Sequence, residues 1–83
     1  MKARKNRLEV IITKIREAER KLSEVENNLQ YIKVLRSLQL WLSRLSMFQN
    51  TKEYEHYFLG GPFTIWEKVN NSILAYQYGE KPF

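Results

Sequence analysis

Apolar residues return along the first part of the chain at alternating intervals of three and four: Leu8, Ile11, Ile15, Ala18, Leu22, Val25, Leu29 and Ile32. This is the a/d seam of a helix that packs against another helix, sustained over about 25 residues. Neither Gly nor Pro interrupts the first 59 residues, so the pattern predicts one long helix over 8–48 behind a basic arm at 1–7. After Ile32 the seam slips by three residues, through Leu35 and Leu38 to Leu42 and Leu45. A second stripe of Val34, Leu38, Trp41, Leu45 and Phe48 lies beside it. Two stripes make a wider apolar face than a two-stranded seam needs, so this half is expected to receive the C-terminal segment as well.

Breaks come late. Gly60-Gly61-Pro62 is the main one, and Gly79 with Pro82 forms a second. They predict a short helix over 52–59, N-capped by Asn50 or Thr51 with Glu53 in its first turn. A C-terminal helix follows over 62–78, with Pro62 at its first position and Ile65, Val69, Ile73 and Tyr76 along one side; residues 79–83 are a tail. The expected fold is a single all-α domain: a long N-terminal coiled-coil helix with one or two shorter helices folded back on it. A helix over 8–48 would be roughly 60 Å long, too long for a lone core of this size. Either it dimerises or it breaks, at Asn27-Asn28 or, more readily, between Ser46 and Thr51.

Charge along the seam bears on the partner. With Leu8 as an a position, Lys14 and Lys21 fall at g, and Glu19 and Glu26 at e. A parallel homodimer sets Lys14 against Glu19 and Lys21 against Glu26 of the other copy, whereas an antiparallel one sets like charges together. The pattern therefore favours a parallel self-pair, with an intramolecular bundle as the competing arrangement.

The 83 residues include no cysteine and no aspartate, which excludes disulfides and thiolate metal sites and removes one class of catalytic acid. No cofactor is expected. His56 is the only histidine, and Glu53-x-x-His56 lacks the further inward carboxylates that a di-iron bundle needs. The serines fall in helical patterns rather than on strained turns, so no nucleophile with its base is in view and an enzyme is not expected. No apolar run reaches the length of a bilayer span, and Glu9, Lys14 and Arg16 interrupt the only stretch placed like a secretory signal. A soluble, cytoplasmic protein without a small-molecule substrate is the expectation.

The net charge of +5 is uneven: residues 1–24 carry eight Lys or Arg against four Glu, residues 51–83 three against four. Lys2, Arg4, Lys5 and Arg7 form a basic cluster before the first acid, suited to phosphate or another anion. It is too short to cross a major groove as the basic region of a zipper does, and Asn6 is its one candidate base reader. Eight of eleven aromatic residues follow Asn50, more than that segment hides by itself. Phe63, Trp66, Tyr76, Tyr78 and Phe83 are candidate partner-contact residues, because rings of this kind anchor protein interfaces. These features point to a non-catalytic protein-binding module, an adaptor or inhibitor of a larger assembly that acts as a coiled-coil homodimer. The alternative is nucleic-acid binding through the basic arm and the flank Lys14, Arg16, Arg20 and Lys21.

Overall fold

The heptad repeat breaks at the place where a side chain competes best with the helix backbone. Asn27 adopts an extended conformation (φ −148°, ψ 168°), and its Oδ1 accepts the backbone N–H of Gln30 at 2.9 Å. Gln30 answers by accepting the backbone N–H of Glu26 at 2.9 Å through its own side chain. The first bond satisfies an orphan donor at the helix start, and the second ties the residue before the cap to the first turn. The computed structural model describes the backbone of residues 2–83 and the side chains from Arg7 onward. Its elements are α1 (Lys2–Glu24), α2 (Asn28–Leu45), α3 (Lys52–Phe58) and α4 (Ile65–Gln77), with no strand among the described residues.

The single helix expected over 8–48 is therefore two helices, joined by a turn at 25–27. One continuous helix would leave its apolar stripe in water, whereas the turn lets the two halves bury that stripe on each other. Ile11, Ile15 and Ala18 of α1 close on Ile32, Leu35, Leu38, Leu42 and Leu45 of α2. The arrangement is antiparallel: Ile11 shares a groove with Trp41 and Phe48, and Ala18 shares one with Val34 and Ser37. Asn27→Ala removes the cap and is expected to lower stability by about 1 kcal/mol, a loss that a urea titration followed by helical circular dichroism would read as a shift in midpoint.

The seam assigned to a second copy is thus folded against the chain's own second helix. Ile15 has no exposure, and Ile11, Ala18 and Ile32 are within 8 % of full burial. Leu8 and Leu22 are half-buried beside them, and Val25 sits half-buried in the turn. Leu29 departs from the pattern at 62 % exposure, because the turn resets the helical phase just before it. In a parallel dimer Leu29 would be a buried seam residue, while in this hairpin it touches mostly water. Leu29→Ala is accordingly expected to change stability by less than about 0.5 kcal/mol. The melting temperature is expected to be independent of protein concentration; a concentration-dependent melt weakened by Leu29→Ala would restore the intermolecular seam.

The C-terminal elements fold onto the other side of α2. Thr51 caps α3, its hydroxyl oxygen accepting the Tyr54 N–H at 3.2 Å. Thr64 caps α4 by accepting the Glu67 N–H at 3.2 Å, and its hydroxyl donates to the Glu67 carboxylate at 3.3 Å. The start of α4 is therefore set by Thr64-x-x-Glu67 rather than by Pro62, which lies in the preceding loop. Gly79, at φ +94°, ends the helix: the N–H of Glu80 returns to the carbonyl of Ala75 at 2.9 Å, a closure that needs a residue in the left-handed region.

α4 runs antiparallel to α2, burying Val69 and Ile73. Gln39 donates to Asn70 near the middle, and Tyr31 meets Tyr76 towards one end, with ring centroids 6.2 Å apart. The tail continues along the same line: Phe83 packs edge-on against Tyr31 at 6.1 Å and donates its N–H to the Asn28 side chain at 2.9 Å. α2 is the central helix, packed by α1 on one side and by α4 on the other; Leu35 and Leu38 face α4, whereas Val34, Trp41 and Phe48 of the second stripe lie on the α1 side. α3 crosses to α1, where the hydroxyl of the buried Tyr57 donates to Glu19 at 2.7 Å. Extents of 44 × 25 × 17 Å describe a flattened bundle, elongated along the α1–α2 hairpin.

Candidate functional site

The helical period decides which side chains of the hairpin stay uncovered. On α1 the buried stripe has Ile12 and Glu19 on the side of α3 and α4, and Arg7, Val10, Lys14, Glu17 and Lys21 on the opposite side. On α2 the corresponding uncovered positions are Lys33, Ser37, Trp41 and Arg44. Between these two rows runs an open groove made of two adjoining hollows, about 510 and 330 Å³, which share Trp41. The larger has an apolar floor of Val10, Ile11, Met47 and Phe48 between Arg7 and Arg44. Met47 is 80 % exposed and Val10 50 %, well above the rest of the apolar residues on the hairpin's inner face. The smaller hollow opens over Ala18 and Ser37, where small side chains leave space, and is rimmed by Lys14, Lys21 and Lys33.

The electrostatics of the groove are one-sided. Five cations line it (Arg7, Lys14, Lys21, Lys33 and Arg44) against the single carboxylate of Glu17. Lys14 and Glu17 approach to 3.9 Å, and among the described residues the other four cations make no ion pair. Arg44 lies over the indole of Trp41, 4.7 Å from its centroid, a cation–π contact that holds the guanidinium at the groove wall and covers one ring face.

A second groove, about 840 Å³, lies between the outer sides of α2 and α4 and mixes the amides Gln39, Asn70, Asn71 and Gln77 with Leu40, Leu74 and Arg36. Its central amides already bond each other, so it offers weaker demand for a ligand than the basic groove.

The remaining expected site residues are scattered. Within the chain Lys14 meets Glu17, while Glu19 is taken up by Tyr57, and Glu26 sits exposed in the α1–α2 turn. Trp66 is half-buried against Phe58, with centroids 5.2 Å apart, and Tyr76 is half-buried against Tyr31. Phe63 and Tyr78, exposed at 62 % and 80 %, stand before and after α4, about 20 Å apart along its axis. Phe83 is exposed at 57 % although one edge contacts Tyr31. These five rings therefore do not make one patch. Arg7 joins the groove, whereas the side chains of Lys2, Arg4 and Lys5 lie outside the described residues. Arg16 and Arg20 point away from Lys14 and Lys21, and Arg20 pairs with Glu24 at 3.2 Å, so the four do not form a continuous basic flank.

Sequence reasoning passed over Val10, Trp41, Arg44 and Met47 as a group. Val10 and Met47 are apolar residues outside the main stripes, the one signal that marked them. Of the groups with chemical potential, His56 is exposed and stacks edge-on against Tyr57, centroids 4.7 Å apart. No cluster of three His, Cys, Asp or Glu suited to a metal occurs among the described residues, nor does any described helix have the length and apolarity to cross a membrane. Tyr57 is the one strongly perturbed titratable group. Burial pushes its phenol well above the usual tyrosine value, and the Glu19 carboxylate that it donates to adds to the shift. Its hydroxyl is a structural donor. In comparisons with known proteins, the chain matches no family model, no curated protein and no solved structure.

Proposed function

We propose that this protein is a non-catalytic protein-binding module, an adaptor or inhibitor of a larger protein assembly. One observation carries the reading: the α1–α2 groove combines an open apolar floor with five cations, four of which make no ion pair among the described residues. Exposed apolar surface rimmed by charge is the usual form of a protein-docking site.

Affinity capture of the tagged protein from its native lysate, divided into nuclease-treated and untreated halves, tests this class. A protein partner in stoichiometric amount that survives nuclease is the expected result. Nucleic acid in the untreated half, with every partner lost on digestion, would instead support the alternative reading through the basic N-terminal segment.

A further inference from the structure

Resting on the protein-binding reading above, we propose that the α1–α2 groove receives an acidic amphipathic helix of the partner protein, which lies along the hairpin with its apolar face on Val10, Trp41 and Met47. Shape comes first. The hairpin already accepts α4 on one side of α2, and the groove is the equivalent unfilled position on the other side, between two antiparallel helices. A helix laid between two helices contacts both through a stripe of apolar residues at i, i+3, i+4 and i+7. The groove runs from Arg7 to Lys21, 14 residues along α1 and so about 21 Å, enough for four turns of a ligand helix. Met47, unbranched and 80 % exposed, adapts to the apolar side chain set against it.

Charge identifies the occupant. Arg7, Lys14 and Lys21 recur at intervals of seven and so stand in a row, one cation about every 10 Å along the α1 wall. Lys33 and Arg44 are spaced along the α2 wall. A ligand helix with carboxylates on both shoulders of its apolar stripe meets a cation on either side along its whole length. Such rim pairs contribute to orientation and association rate more than to affinity, which comes from the apolar anchors. A second copy of this chain is a poor occupant, since it would bring a net charge of +5 to a groove that is already cationic. A nucleic-acid strand is also disfavoured. A phosphate backbone has nothing to cover the apolar floor of Val10, Ile11, Met47 and Phe48, and Arg44 already occupies one face of the Trp41 indole.

The test selects binders to the full-length protein from a displayed library of 16-residue helices, apolar at a and d positions and randomised among Lys, Glu and Gln elsewhere. The expected winners are rich in Glu, and their binding weakens as salt rises. Val10→Glu and Met47→Glu, both at exposed positions, are expected to leave the thermal melt unchanged and to weaken those winners by about tenfold or more. Arg7→Glu with Arg44→Glu should turn the selection towards Lys-rich helices. Winners without an excess of Glu, or winners that bind both groove variants at full affinity, overturn the proposal. So does a single-stranded oligonucleotide that binds the protein and is lost in the same variants. The lysate capture, repeated with Met47→Glu, separates the two levels. A nuclease-resistant partner retained by the variant overturns the groove while the protein-binding class stands, and no such partner for either form removes the class itself.

Discussion

Leu42→Ala is expected to lower the stability of the fold by about 3–4 kcal/mol, the largest effect of any single truncation considered for this core. Leu42 has no solvent exposure and sits on the apolar face of the central helix, in the shared core of α1, α2 and α4. Truncating it removes the transfer free energy of three carbons and leaves a cavity that three helices must close together, which places the loss inside the usual 2–5 kcal/mol range for such changes. A domain of this length is stabilised by only about 4–12 kcal/mol in total, so the fraction lost is large. Leu40→Ala, two residues away on the outward side and 50 % exposed, should cost less than about 1 kcal/mol. Urea titrations followed by circular dichroism compare the two. Equal losses would show that α2 does not face the interior as described.

Tyr57→Ala is expected to cost about 3 kcal/mol, and Tyr57→Phe about 1–2 kcal/mol, because the two substitutions separate the ring from its hydroxyl. The ring is 6 % exposed and fastens α3 to the rest of the bundle, so its removal resembles other buried aromatic truncations. The hydroxyl donates to a carboxylate, and bonds to a charged partner are worth more than neutral ones. The same bond makes stability depend on pH. Burial and Glu19 raise the phenol above its ordinary value of 10.0, so above that pH the folded state holds a proton that the unfolded state has released. The contribution is complete below pH 10 and declines as pH rises beyond it. Wild type and Tyr57→Phe should therefore differ most at neutral pH and converge in strongly alkaline solution, as read from denaturation midpoints between pH 7 and 12. A constant difference across that range would mean that Tyr57 is not proton-linked to folding.

Much of the local structure was legible in the residues. The apolar spacing of three and four before position 60 pointed to helix, Thr51 was one of two caps expected for α3, and Gly79 marks the end of α4. The capping box Thr64-x-x-Glu67 was equally readable, but Pro62 is the more conspicuous signal and drew the helix start towards itself. The long helix was the larger departure. Val25 and Leu29 continue the heptad in phase across Asn27, so the apolar period gives no sign of a turn; only the capping chemistry of Asn27 with Gln30 does. A heptad stripe states that a helix needs a partner surface, and it is silent on whether that surface belongs to the same chain.

The candidate groove was legible in pieces. Arg7, Lys14 and Lys21 stand seven apart in the sequence, and Val10 and Met47 are conspicuous as apolar residues off the main stripes. Nothing in one dimension joins residues 7–21 to residues 33–47, because that pairing depends on where the chain turns and in which direction it returns. The aromatic residues show the same limit from the other side: Phe63, Trp66, Tyr76, Tyr78 and Phe83 are close in sequence, and a helix separates the exposed ones.

Helix content, the faces to be buried, the caps and the uneven charge are properties of neighbours within a turn or two, and the sequence by itself determined them. The meeting of α1 with α2, the burial of Ile15 and Leu42 at its centre, the Tyr57–Glu19 bond across 38 residues and the two walls of the groove were decided only by the tertiary structure. Hydrophobic burial has no direction: it demands that a stripe be covered without saying by what. A three-residue turn settles that choice, since it sets the stripe of α1 against that of α2 at once and leaves one side of the hairpin open.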